Sequence, residues 1–286
     1  MPVINSIAAM KDEMTEWRRD IHAHPELAFE EIRTSNLVAE KLASWGIEVH
    51  RGVGRTGVVG VLRGSRPGTR SIGLRADMDA LPMQEENDVP YRSTVPGKFH
   101  GCGHDGHTTM LLGAARYLAE TRNFGGTVNF IFQPAEEGHA GGRAMVEDGL
   151  FERFPCDEVY AVHNWPALPA GSFGVREGPI MAAADVFEIL VHGVGGHAAM
   201  PHLANDPIPV VALIIQGLQT LVSRQTSPLS SAVISVTQVH VGTAHNVIAE
   251  SARMTGTLRT FDPKVRDALI ASMERVATQI ASAYSM

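Results

Sequence analysis

A chain of 286 residues is long for one average domain and comfortable for two, each large enough to bury its own core. With 44% hydrophobic and 19% charged residues, and no apolar run that reads as the eighteen or so residues of a membrane helix, the composition predicts a soluble protein. A formal charge of −7 gives no electrostatic reason to expect nucleic acid or an anionic membrane as a partner, and two cysteines do not make a disulfide framework.

The opening MPVINSIAAMKDEMTEW lacks the basic, apolar and small-residue segments of a secretory signal, so a cytoplasmic location is expected. From about Asn5 to His22, and again over FEEIRTSNLVAEKLASWG, the pattern predicts amphipathic helices. The second spaces Ile32, Leu37, Val38, Leu42 and Trp45 at helical intervals and offers Gly46 as its stop. Strand-like runs follow at 58–62, 71–76, 127–132 and 158–163, with helix candidates at 105–120 and 142–148. That alternation predicts an α/β domain whose sheet is mostly parallel, with helices on both faces. Beyond the loop HNWPALPAGSFGVREGPIMAAA come the strand DVFEILVH, a helix over 206–224, the strands SAVISVTQVHVG and SARMTGTLRT, and a helix over 263–285. The order β-α-β-β-α is an α+β, ferredoxin-like unit without its last strand. The domain boundary is placed near Ala184, giving domains 1–184 and 185–286.

Four clusters carry chemistry. In HGCGHDGHTT, Cys102 and His104 flank a glycine just before a helix, where a thiolate and an imidazole can face one metal. In isolation, C-x-H is better explained by a buried structural cysteine. It has company: Glu136 and Glu137 in QPAEEG after one strand, His163 at the end of another, and Asp77 and Asp79 in RADMDALP after a third. Sites of α/β sheets lie outside the carboxyl ends of strands, which is where these residues fall. Thiolate, imidazole and carboxylate together suit Zn²⁺, Mn²⁺ or Co²⁺. Adjacent glutamates can divide the work, one ligating a metal while the other takes a proton from water that the metal acidifies.

The segments RRDIHAHPELAFEE, LRADMDALPMQE, FHGCGHDGHTTMLLGAA, IFQPAEEG, GGRAMVEDG, VHNWPALPAG, VHGVGGHAAMPHLANDPI and HNVIAESARMTGTLRTF resemble, in order, those of the M20 peptidase family. The branch is that of hippurate hydrolases, N-acyl-amino-acid deacylases and hydrolases of indole-acetyl amino acids. The resemblance implies hydrolysis of N-acyl amino acids, with Cys102, His104, Glu137 and His163 as ligands of a two-metal site and Glu136 as general base. It makes Asp77 a supporting residue, although Arg75 stands where relatives elsewhere in the superfamily carry a ligating histidine. The second domain would be an inserted lid that also mediates homodimer contacts, with His197 stabilising the oxyanion and Asn246 and Arg259 holding the substrate carboxylate. His22 and His24 read as structural, and His107, on the same helical face as His104, as support rather than ligand.

Rival readings are an M20-type dipeptidase or carbamoylase, a metal-binding protein without turnover, and cysteine nucleophile chemistry at Cys102, which alkylation but not chelation would inhibit. The resemblance also places a closing strand, a return into the catalytic domain and one more ligating histidine after the helix FDPKVRDALIASMERVATQIASAYSM. The 286 residues alone are therefore expected to hold a partial or empty metal site and to show little or no hydrolysis.

Overall fold

A computed structural model describes residues 3–286, which divide into two compact units, 3–172 and 173–286. The division falls upstream of Ala184, within residues 162–182, which form neither helix nor strand.

The first unit runs α1 (Asn5–Ala9), α2 (Lys11–Ala23), α3 (Ile32–Ser44), β1 (Glu48–Val53), β2 (Gly57–Arg63), β3 (Arg66–Asp77), α4 (His104–Thr121), β4 (Gly125–Gln133), α5 (Glu136–His139), α6 (Gly141–Glu147), α7 (Leu150–Arg153) and β5 (Glu158–Ala161). Its five strands lie in the order β1-β2-β4-β3-β5. Parallel pairing occupies β4-β3-β5, and β2 and β1 extend the sheet in antiparallel fashion, so the sheet is mixed. The sequence reading had no strand at β1, whose Glu48, His50 and Arg51 argue for a loop. Its pairing with β2, Val49 opposite Gly60, overrides that local preference.

Successive residues of β4 point to opposite faces of the sheet. Phe130 and Phe132 enter a core with Trp17, Val38, Leu42, Leu62, Met78 and Leu112, beneath α2, α3 and α4. Ile131 enters a smaller core on the other face with Val53, Met145, Leu150 and Phe154, beneath α6 and α7. Each such side chain contributes about 1.5–3 kcal/mol on burial. The α3 stop is as expected: Gly46 has φ +70°, and Ile47 N–H donates to Leu42 O at 3.1 Å. Ile32 is exposed and does not belong to the packed face. The single helix expected over 5–22 is two, broken at Met10.

The second unit contains β6 (Ala183–His192), β7 (Gly196–His197), α8 (Pro207–Thr220), β8 (Ala232–Val241), β9 (Val247–Ile248), β10 (Ser251–Thr260) and α9 (Pro263–Ala283). β6-β10-β8 form an antiparallel sheet and β7-β9 a separate short pair. Ala252, Met254 and Leu258, alternate residues of β10, pack with Val210, Ile214 and Leu218 of α8 and Leu269 and Met273 of α9. Asp206 and Asp262 cap the two helices by accepting from Ile208 N (3.0 Å) and Lys264 N (2.8 Å), each followed by proline at the first helical position.

Residues 207–225 do form a 19-residue helical stretch apolar enough, by length and composition, to cross a membrane. Five of its apolar side chains, Val210, Val211, Ile214, Leu218 and Leu221, are buried in the core of this unit, which accounts for the composition.

Candidate metal centre

The register of the first sheet brings the acidic and histidine-bearing segments together. Asp77 at the end of β3 lies opposite Gln133 at the end of β4, and Arg75 opposite Ala161 at the end of β5. Because these strands are parallel, the loops carrying Asp79, Glu136 and Glu137, and His163 leave the same edge of the sheet. Helix α4 begins there too, and Thr108 Oγ1 donates to Asp77 O at 2.8 Å. Its approach is close: Gly103 caps the helix at φ +87°, and a Cβ on it would come within 2.5 Å of Asn164 Oδ1. Only glycine serves at that position.

Three overlapping donor groups result: Cys102, His104 and His163; Asp77, His104 and His107; and His104, Glu136 and Glu137. His104 is fully buried, and its Nδ1 donates to Asp79 O at 2.9 Å, which leaves the lone pair on Nε2. That nitrogen lies 3.8 Å from Glu137 Oε1, 3.9 Å from Glu136 Oε2 and 3.6 Å from Asp77 Oδ2. On the other side, Cys102 Sγ is 3.4 Å from His163 Nε2, while His163 Nδ1 donates to Asn164 O at 2.7 Å.

Around these donors the supports are fixed. His107 is bonded through Nδ1 to Asp77 Oδ1 at 2.7 Å, and its Nε2 is occupied by Asn164, whose N–H lies at 3.0 Å. Arg75 donates to Asp77 Oδ2 (2.7 Å) and to Gln133 Oε1 (2.9 Å). Asp79 Oδ2 accepts from Glu137 N at 2.9 Å, so one residue orients both His104 and the Glu137 backbone.

The electrostatics ask for a cation. Burial, then the nearness and charge of Glu137, with Glu136 and Asp77 adding, push the Cys102 thiol up to about 12. Burial and the charge of Glu137 raise Glu136 above the ordinary carboxylate range. Burial opposes ionisation of Asp77, but the His107 bond and the charges of His104 and Arg75 prevail and hold it well below that range. His104 Nε2 and Glu137 Oε1 are buried with no hydrogen-bond partner, an arrangement that normally costs stability. Two donors sharing one ion at about 2 Å each would stand at such separations. The residues therefore fit a divalent metal.

In the second unit the structure brings His197 and Asn246 together and leaves Arg259 apart. His197 in β7 pairs with Val247 of β9, and Ala198 N–H donates to Asn246 O at 3.1 Å. Both line an open cleft of about 650 Å³, together with the glycines 195, 196 and 242. Arg259 lies near the far end of β10, opposite Ala184 and Val233, and donates to Leu258 O at 3.1 Å and to Thr257 Oγ1.

Sequence reasoning missed Asn164, Asp105 and Glu31. Asp105 is buried beside His104, accepting from Arg18 at 2.6 Å and bonded to His22 at 2.8 Å. An acid between two histidines of HGCGHDGH was the available signal. His22 is buried, and its Nε2 also lies 3.2 Å from Glu85 Oε1.

An α/β sheet presenting thiol, imidazole and carboxylate donors at one strand edge defines a protein built to hold divalent metal. The chain belongs to peptidase family M20/M25/M40, whose family model matches residues 73–285. It is 44% identical over 283 residues to a hippurate hydrolase of Campylobacter jejuni, covering 99% of this chain and 73% of that one. It is 45% identical over 278 residues to an N-acyl-L-amino acid amidohydrolase of Geobacillus stearothermophilus, covering 96% and 74%. Among solved structures it resembles the Bacillus subtilis YXEP protein, a dinuclear metal binding peptidase of the M20 family, with TM-score 0.78, 40% identity and coverage of 97% and 72%.

Proposed function

We propose that this protein hydrolyses the amide bond of N-acyl amino acids, with Cys102, His104, Glu137 and His163 holding two divalent metal ions and Glu136 acting as general base. The observation that carries this is the buried, unpartnered Nε2 of His104 facing the unpartnered Oε1 of Glu137, with Glu136 beside them and still 41% exposed to solvent. Bound metal supplies Lewis acidity and brings the pKa of water towards about 7. Glu136, whose pKa is raised by burial and the Glu137 charge, would accept the proton of the attacking water and return it to the leaving amine. Asp77 orients His107 and does not touch substrate on this reading. In the second unit, His197 is assigned to the oxyanion and Asn246 and Arg259 to the substrate carboxylate, a role that suits the planar fork of arginine. The mixed sulfur, nitrogen and oxygen donor set supports Zn²⁺, Mn²⁺ or Co²⁺. Homodimerisation through the second unit is supported by Val186 and Leu190, exposed on edge strand β6, and a cytoplasmic location by two free thiols.

The test is metal analysis with a panel of N-acetyl, N-benzoyl and indole-acetyl amino acids, read as release of the free amino acid. It is run on the 286-residue chain and on a chimaera continued with the part of the hippurate hydrolase that the match leaves out. Metal-dependent hydrolysis by either supports the reading. Hydrolysis that survives chelation but is stopped by alkylation of Cys102 would replace it with the cysteine mechanism, and no hydrolysis by either form would overturn it.

A further inference from the structure

Among the described residues, Glu31 has no place in the mechanism above, yet it is fully buried and makes no ion pair. Its Oε2 accepts from Thr56 Oγ1 at 2.5 Å, and its Oε1 accepts from Ala135 N–H at 2.8 Å. Burying a carboxylate without a cation is costly, and burial raises the pKa of this group despite the hydrogen bonds from Thr56 and Ala135. A purely packing role would be better served by an apolar side chain of the same size.

The partner it holds is unusual. Ala135 is fully buried and left-handed, with φ 52° and ψ 45°, a conformation that is unfavourable for a residue with a Cβ. Such backbone persists only where its surroundings over-determine it. Glu136 and Glu137 follow immediately. The far end of the same turn is tied by Glu137 N–H donating to Asp79 Oδ2.

The segment that carries Glu31 also reaches the other acidic loop: Glu26 O accepts from Ala80 N–H at 2.8 Å, one residue beyond Asp79. The Glu26 carboxylate in turn accepts from Arg33 N (2.9 Å) and Thr34 N (2.8 Å) at the start of α3, which anchors the segment to the helix.

We infer that Glu31 is a positioning residue for Glu136 and Glu137: its carboxylate, bonded to Ala135 N–H, holds the left-handed turn from which both glutamates project. This rests on the reading of Glu137 as a metal ligand. Removing the acceptor frees Ala135 to relax out of the left-handed region, which swings Glu137 away from His104. Glycine at 135 would adopt the same backbone without the Cβ penalty and would depend less on the restraint.

The experiment uses the full chain with Co²⁺ as probe and reads binding affinity together with amide hydrogen exchange over 131–140. Glu31→Leu removes the acceptor, and Co²⁺ affinity is expected to fall about tenfold or more, the range of loss when a residue supporting a ligand is removed. Exchange over 131–140 is expected to rise. Glu31→Gln keeps an oxygen for Ala135 N–H and an amide for Thr56 Oγ1, and should stay within about threefold of the unmodified chain. Thr56→Val removes the other bond of Glu31 and should leave affinity unchanged, which a merely structural role would not. Glu31→Leu combined with Ala135→Gly should regain much of the lost affinity. If Glu31→Leu does not fold, Glu31→Asp, too short to reach Ala135 N–H, carries the same expectation. Affinity and exchange unaltered in the variant lacking the acceptor, or equal losses in Thr56→Val, would overturn the inference. An unmodified chain that binds no Co²⁺ leaves the exchange over 131–140 to decide the role of Glu31, and no Co²⁺ binding by the chimaera carrying the hippurate hydrolase segment would overturn the metal reading instead.

Discussion

The two units display their polar residues in opposite ways. In the first, Asp77, Asp79, His104, Asp105 and His107 are buried at the ends of long, well-paired strands and at the start of an 18-residue helix, each side chain bonded to a neighbour that fixes it. In the second, His197 and Asn246 are exposed on a two-residue strand and an adjoining loop, among glycines, lining an open cleft. A rigid sheet edge can hold donors at the spacing a metal demands before any metal arrives. Short strands and glycine turns cannot do that, but they suit residues that engage only when substrate is present.

That contrast predicts a separation between metal binding and turnover. The largest effect belongs to the adjacent glutamates. In a complete enzyme, such as the chimaera with the hippurate hydrolase segment, Glu136→Gln should leave metal content nearly intact while slowing hydrolysis by about 10²–10⁴-fold, the usual contribution of a general base. Glu137→Gln should lose metal itself, measured after dialysis. Equal metal loss in both variants would end the division of labour.

Next is His197→Ala, expected to bind metal normally and to lose turnover by about 10²–10³-fold, as when one oxyanion donor is removed. Mixing it with Glu136→Gln sharpens the comparison: recovery of activity in mixed dimers means His197 acts across subunits. No recovery despite proven subunit exchange means it acts within one.

Asp77→Asn should weaken metal binding about 10–100-fold by releasing His107. It also carries a pH signature in the metal-free protein. The carboxyl of Asp77 is held below its ordinary range when folded, so its ionisation stabilises the fold above about pH 4, and that contribution is lost as pH falls towards the folded value. Acid unfolding followed by circular dichroism should therefore be shallower in Asp77→Asn; an unchanged profile would show that the ion pair with Arg75 and the His107 bond do not hold it. The smallest effect is expected on the open face of the second sheet. Val186→Ser, at a position 85% exposed, should alter monomer stability by no more than about 0.5 kcal/mol.

How much of this was legible depended on whether a residue's role is local. Glu136, Glu137 and His163 directly follow apolar runs that read as strands, so their gathering at one sheet edge followed from topology. Cys102 and His104 were marked by spacing and by the glycines that let α4 approach Asn164. Glu31 and Ala135 stand 104 residues apart in sequence and meet through a backbone N–H, which no side-chain pattern encodes. Asp79 works partly through its own carbonyl, equally invisible. In the second unit the strand and helix order was readable, but the β7-β9 pair is too short to show periodicity. Only the three-dimensional register reveals that His197 and Asn246 share a cleft from which Arg259 is remote.

The most direct test of the metal centre is Co²⁺ titration followed by the thiolate-to-metal charge-transfer absorption. If Cys102 ligates the metal and Glu136 does not, the band is present in the unmodified chain and in Glu136→Gln, and absent in Cys102→Ser. A saturable Co²⁺ spectrum without that band in the unmodified chain, or with the band intact in Cys102→Ser, would contradict it.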